Sequence, residues 1–285
     1  MSRRLLVTGG TGYLGSELVR RASGHGWSLA ATWLSNEPVG QDVHWLRLDV
    51  RNPVAVAEAV ARVRPHAVIH TAYRQKGKGA RETTLKGSGA VAHAARAAGA
   101  RLVHMSTDVL FDGTKGAPYT ENDPPAPVTD YGRDKADAEQ AVVAAHPDAL
   151  IVRASLIYGG PDPSRHERLA LEAARGELDM AFFTDELRCP VPVSDLGAAL
   201  LELAESDVSG VLHVAGADAV SRYDFACLVA RASGLSSERI RSASIAGSGE
   251  RRPANCSLDS SRARSLLETR LRGAREVLAA ARSRQ

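Results

Sequence analysis

Cysteine, lysine and long apolar runs are all scarce in this chain of 285 residues, and each shortage excludes something. The cysteines Cys189, Cys227 and Cys256 stand far apart, odd in number and without metal-ligand spacing. They therefore offer no disulfide framework and read as core thiols in a reducing, cytoplasmic setting. No apolar stretch approaches the roughly 20 residues of a membrane span. Arg3 and Arg4 lead straight into a short strand pattern rather than a signal-peptide core, so no membrane partner is expected.

Only five residues are Lys, against 31 Arg. The basic residues are scattered among 33 acids, and the net charge of +3 has no concentrated run behind it. Nucleic acid is thus not an expected partner, and a small molecule is. No His, Cys and carboxylate grouping has the spacing of a metal site, so no metal is expected. The 44% apolar share, with 24% charged residues, excludes disordered and collagen-like classes and leaves a chain able to bury its own core.

What the sequence does have is a repeated change of period. Leu5–Val7, Ser28–Trp33, Val43–Leu48, Ala67–His70, Arg101–Ser106 and Ala149–Arg153 read as short buried strands. Between them lie helical patterns over Tyr13–Ala22, Pro53–Val63, Gly89–Ala98 and Tyr131–Ala145, the second opened by Asn52 as N-cap and Pro53 in the first turn. Buried strands alternating with helices predict parallel βαβ units in a Rossmann-type, doubly wound α/β sheet. A dinucleotide-binding domain over residues 1–158 and a smaller substrate-binding lobe over 159–285, with some elements returning to the first domain, is the expected division. In the second half the pattern gives a helix Leu169–Arg175, a strand Val191–Val193, a helix Asp195–Ala204, a strand Val211–Val214 and a helix Tyr223–Ala232. Ser242–Gly249 reads as a loop and Ala263–Arg282 as a terminal amphipathic helical region.

Gly9, Gly12 and Gly15 stand three apart directly after the first strand and at the start of a helix. In that context they permit a tight turn, close backbone approach to a pyrophosphate and close helix packing, with the helix N-terminus facing the anion. Thr11, Tyr13 and Leu14 fill the rest of the expected cofactor turn. An acid at the end of the second strand would bond the ribose of NAD and repel a 2′-phosphate. Here Ser35 and Asn36 stand instead, so NADP(H) is favoured, with NAD(H) the alternative. Asp49 and Val50, after the third strand, are candidates to meet adenine; Asp49 also reads as a loop cap. Thr71, Ala72 and Tyr73 follow the fourth strand on the expected nicotinamide side.

Tyr131 and Lys135 lie four apart on one helical face. A phenol must exchange a proton near neutrality, and an adjacent ammonium favours its phenolate. In a chain that prefers Arg so strongly, a Lys here suggests that a compact donor on a flexible stem is required. His70 reads as a satisfied, half-buried histidine.

The segments TGGTGYLG (8–15), STDVLFDG (106–113), PVTDYGRDKADAE (127–139), VRASLIYG (152–159), CPVPVSDL (189–196) and RRPANCSLD (251–259) run through nearly the whole chain. Together they resemble the dTDP-4-dehydrorhamnose reductase branch of the extended short-chain dehydrogenases, a branch that also contains the regulatory subunit of methionine adenosyltransferase. The resemblance implies a catalytic triad of Thr107, Tyr131 and Lys135. It implies reduction of a nucleotide-linked 4-keto-deoxysugar, with Tyr131 as proton donor and Lys135 also holding the nicotinamide ribose. It further implies a substrate pocket touching Asp108, Val109 and Leu156. Arg188 and Arg252 are candidate partners for the substrate diphosphate, or surface ion pairs.

The chain departs from that family where Val109 replaces a usual Tyr, where Leu156 replaces a usual Trp, and where Thr83-Thr84-Leu85 lacks an Asn-containing helix start. The basic, glycine-rich segment Tyr73–Gly79 reads either as a flap over nicotinamide and sugar or as a solvated loop. Asp108 followed by Val109 lacks the acidic pair of related dehydratases and disfavours sugar dehydration. An epimerase, another carbonyl reductase and a cofactor-binding regulatory subunit remain as alternatives, and family habit suggests a homodimer.

Overall fold

The computed structural model describes residues 3–38, 43–249 and 251–282. Two compact units emerge. One comprises residues 1–107, 130–153 and 197–212, the other residues 108–129, 154–196 and 213–285. The segment 108–129, inside the first half of the sequence, thus belongs with the second unit.

The first unit holds strands β1 (Arg4–Thr8), β2 (Ser28–Trp33), β3 (His44–Arg47), β4 (Ala67–His70) and β5 (Arg101–Thr107). With β6 (Leu150–Ala154) and a last strand at Gly210–His213 they form a seven-stranded sheet. Its order runs from Gly210–His213 through β6, β5, β4, β1 and β2 to β3. β1 pairs in parallel with both β2 and β4, β2 with β3, and β4 with β5. The order reverses at β1, the place where doubly wound sheets open a crevice at their strand ends.

Helices α1 (Tyr13–Ala22), α2 (Pro53–Val63), α3 (Gly87–Ala97) and α4 (Asp130–Ala145) alternate with these strands. Asn52 caps α2 by accepting from the amides of Val54 and Ala55, and Pro53 stands in its first turn where its missing N–H costs nothing. One core of this unit packs Leu6, Val68, Leu102 and Ile151 of the sheet against Val56 and Val60 of α2 and Val91 of α3. The third strand is shorter than its apolar run, since Val43 and Leu48 flank it. The region that lacks the family's Asn-containing helix start is a π-helical turn, Glu82–Lys86, leading into α3 two residues before the expected Gly89.

The second unit has its own core, in which Ala170, Ala173 and Phe182 meet Phe225, Val229 and Leu278. Its strands are two or three residues long. Ser242 and Ala243, read from sequence as loop, pair in parallel with Phe182 and Phe183, and a 3-10 turn follows at Ile245–Gly247. Val193 begins the helix Val193–Ala204 instead of ending the strand Val191–Pro192. The expected C-terminal helical region is two helices, Ser261–Leu266 and Ala274–Arg282. All three cysteines are buried free thiols. Among the described residues no helix is long and apolar enough to cross a membrane.

Candidate active site

The glycine turn is built for backbone alone. Gly9 has φ 71°, which favours glycine, and a Cβ there would come within 2.9 Å of the Ala72 Cα. A Cβ on Gly15 would lie 2.0 Å from the Gly9 carbonyl oxygen. Gly12 is the N-cap of α1; no side chain caps that end, and the first turn carries no acid. A ten-residue helix thus presents an uncapped, locally positive terminus to the turn, which fits a pyrophosphate. Thr32 braces the turn, its hydroxyl accepting from the Gly9 amide at 3.1 Å and its carbonyl from the Gly10 amide at 2.7 Å. Thr11 and Tyr13 are half-buried, and Leu14 turns into the core.

Ser35 and Asn36 are exposed just past β2. In register with Trp33 stands Arg47 of β3, its guanidinium 5.5 Å from the Trp33 ring centroid. Asp49 is held by Arg51, which donates to it from its main chain at 3.0 Å and from its side chain at 2.6 Å. That hydrogen bonding holds the Asp49 carboxyl below its ordinary range. Val50 turns its side chain into the core against Gly87, leaving only its backbone to meet a ligand.

On the other side of the switch point, β4 ends in His70 and is followed by Thr71, whose hydroxyl donates to the Thr8 carbonyl at 2.7 Å. His70 is fully buried rather than half-buried. Ser88 donates to the Thr84 carbonyl at 2.5 Å, so the 3.2 Å contact between Ser88 Oγ and His70 Nε2 requires the proton on Nε2. Nδ1 then accepts from the Thr8 hydroxyl at 2.6 Å. Burial, reinforced by the nearby Lys135 charge, lowers the His70 pKa to about 3.

Tyr131 and Lys135 stand on the first two turns of α4. Tyr131 is half-buried and Lys135 is 4% exposed. Lys135 Nζ donates to the Met105 carbonyl at 2.7 Å, and burial lowers its pKa to about 8. Thr107 ends β5 two residues beyond Met105 on the same strand face. Tyr73 joins this group: its ring lies 5.3 Å from Lys135 Nζ and 5.9 Å from the Tyr131 ring. Ala72 is half-buried beside the glycine turn, and Arg74 is anchored through both backbone groups to the Thr84 hydroxyl. The Tyr73–Gly79 segment is thus tied at one end while Tyr73 itself stays 52% exposed.

In the second unit Val109 and Leu156 are half-buried. Asp108 is buried and accepts from the Ser155 hydroxyl at 2.6 Å, so it serves as a cross-tie, not as the substrate contact expected of it. Arg188 departs from expectation more sharply. It is 2% exposed, and its guanidinium donates to the carbonyls of Leu187, Ala254 and Pro253 and to Glu186. A fork engaged so fully inside its own unit is a structural clamp and does not await a diphosphate. Arg252 does remain accessible at 38%, stacked 5.3 Å over the Phe183 ring and bonded to Glu186 at 3.0 Å. Among the described residues no cluster of His, Cys, Asp and Glu is arranged to hold a metal.

The family described as RmlD substrate binding domain matches residues 3–284. This chain belongs to that family. It is 35% identical to the dTDP-4-dehydrorhamnose reductase of Mycobacterium tuberculosis, over 86% of this chain and 80% of that protein. It is 29% identical to methionine adenosyltransferase 2 subunit beta of Rattus norvegicus, over 93% of this chain and 83% of that protein. A crystal structure of dTDP-4-dehydrorhamnose reductase from Bacillus anthracis in complex with NADP superposes with a TM-score of 0.83, covering 100% of both chains at 24% identity, a likeness of fold.

Two features of this RmlD-family member escaped sequence reasoning. Arg47 lies a strand away from Ser35 and Asn36, and only the register of β2 with β3 brings it beside Trp33. Arg222 is buried among Arg188, Arg252 and Glu186, and its guanidinium donates to His166 Nδ1 at 3.0 Å. The helix-start pattern at Ser221 was the available signal, but nothing in it marks the following Arg as buried.

Proposed function

We propose that this protein is an NADP(H)-dependent reductase of a nucleotide-linked 4-keto-deoxysugar, with Thr107, Tyr131 and Lys135 as its catalytic residues. The observation that carries this reading is a buried ammonium one helical turn from Tyr131, bonded to the strand that ends in Thr107. The kinship with a protein named dTDP-4-dehydrorhamnose reductase supports the substrate class. Ser35, Asn36 and the nearby Arg47, with no acid at the end of β2, support NADP over NAD.

The pyrophosphate of the cofactor fits the Gly9–Gly15 turn, since backbone amides and a helix start face it and no side chain competes. When bound, NADPH supplies the hydride for the ketone carbon. Tyr131 gives its phenolic proton to the ketone oxygen, and Thr107 donates a hydrogen bond to that same oxygen. Lys135 stabilises the phenolate left on Tyr131, and its ammonium would hold the nicotinamide ribose of a bound cofactor. Tyr73, beside both side chains, helps to keep water from them. Arg252 over Phe183 is the accessible cation suited to the substrate diphosphate.

The test is NADPH oxidation with a panel of dTDP- and UDP-linked 4-keto-deoxysugars. Turnover with at least one, and formation of the corresponding alcohol, is the expected result. NADPH binding without oxidation by any member would instead favour a regulatory role of the kind named for the methionine adenosyltransferase relative.

A further inference from the structure

The face of α4 that carries Tyr131 and Lys135 does not end there. Glu139, one further turn along, is also buried, so positions 131, 135 and 139 form a continuous row at four-residue spacing. Arg153 of β6, equally buried, grips Glu139 through two hydrogen bonds at 3.0 and 2.7 Å. A buried carboxylate is costly and requires a partner, and Arg153 answers that need. The row nevertheless sets a negative charge one turn from the buried Lys135 ammonium, where it favours the charged amine.

Among the described residues, Glu139 is the full negative charge that raises the Lys135 titration. From β4 and β5 Lys135 is faced by His70 and His104, which burial keeps neutral. From the loop after β4 comes the Tyr73 ring, and from α4 the Tyr131 phenol. The acids on the outer side of α4, Asp134 and Asp137, are taken up by Arg81 at 2.6 and 2.7 Å.

We propose that Glu139, held in place by Arg153, is a positioning residue that keeps Lys135 protonated and so sets the alkaline limit of the enzyme. This rests on the reductase reading only for its catalytic consequence; the protonation of Lys135 is measurable without turnover. Loss of the ammonium would leave the Tyr131 phenolate unsupported, so the alkaline limb of the rate profile would follow the Lys135 titration.

With only five lysines in the chain, side-chain carbon-labelled lysine gives a simple NMR spectrum, and Lys135→Arg identifies the Lys135 signal by its absence. Wild type is expected to titrate Lys135 at about 8, and Glu139→Gln at a lower pH. In any ketosugar assay the alkaline limb of kcat should move by the same amount, with recovery in Glu139→Asp. Glu139→Gln strands the Arg153 charge and is prone to misfold, so Glu139→Gln combined with Arg153→Met provides a neutral, better tolerated counterpart. A lower Lys135 titration in either folded variant supports the proposal. An unchanged titration in a folded variant overturns it, even where ketosugar turnover is intact; absent turnover with a shifted titration would sink the reductase reading alone.

Discussion

Lys135 Nζ donates to the carbonyl oxygen of Met105 at 2.7 Å, tying the helix that bears Tyr131 to the strand that ends in Thr107. The pocket is closed around a compact, single-point cation. A planar guanidinium needs more room and more acceptors, so Lys135→Arg should lower kcat by about a hundredfold or more and weaken NADPH binding. Stopped-flow oxidation and fluorescence titration of NADPH check both effects; wild-type kcat in a folded Lys135→Arg protein would contradict the fit.

Tyr131→Phe removes the transferable proton while keeping the ring beside Tyr73. Its kcat should fall by about 10²- to 10⁴-fold, with the dissociation constant for NADPH within about twofold of wild type. A variant as active as the parent would defeat the assignment of the proton donor.

Gly15→Ala places a methyl group where the Gly9 carbonyl already lies. The turn must open to accept it, at a cost of about 1–3 kcal/mol, and nucleotide affinity should fall at least about tenfold. Calorimetric titration with NADP and a melting curve report the two losses together. Unchanged affinity would mean that the cofactor does not approach this backbone.

Arg188 and Arg252 separate a clamp from a ligand. Arg188→Met leaves Glu186 and three carbonyls short of a buried donor and should cost about 3–5 kcal/mol of stability. Arg252→Met, at a more open position, should leave the urea midpoint nearly unchanged and raise KM for the sugar nucleotide. Reversal of that pattern, with Arg252 governing stability and Arg188 governing KM, would refute the division.

Acid should destabilise the fold before the carboxylates titrate. His70 and His166 have pKa values lowered from 6.5 to about 3, chiefly by burial, and His104 is also held well below its ordinary value by burial. Below pH 6.5 the unfolded chain binds protons that the folded protein refuses, so stability is lost as pH falls from 6.5 toward about 3. By about pH 5 His70 and His166 each cost about 2 kcal/mol. Urea midpoints at about pH 7 and about pH 5 measure the sum; equal midpoints would show that the rings take up protons in the folded state.

The sheet was legible in the sequence because its strands are buried on both faces and therefore continuously apolar, as in Ala67–His70 and Leu150–Ala154. The glycine turn and the Tyr131–Lys135 spacing were legible because each is local, fixed by neighbours within one turn or helix. The second unit resisted. Arg241–Ala243 is three residues long, carries no alternation, and owes its strand character to Ala181–Phe183, some sixty positions away. Arg188 read as a diphosphate partner or surface ion pair and Asp108 as a pocket residue, because charged side chains are usually exposed; only the fold supplies the carbonyls and the serine that let them stay inside. Tyr73 was assigned to the nicotinamide side by its place after β4, but its contact with Lys135 depends on a loop whose path no periodicity encodes.

The helix start at Gly12 carries neither a capping hydroxyl nor a carboxylate. Small tetrahedral oxyanions in solution will therefore compete for it. Phosphate and sulfate buffers should compress apparent affinities and raise the melting temperature of the protein before any nucleotide is added. Assays in zwitterionic buffer and chloride salts would expose the full range of both.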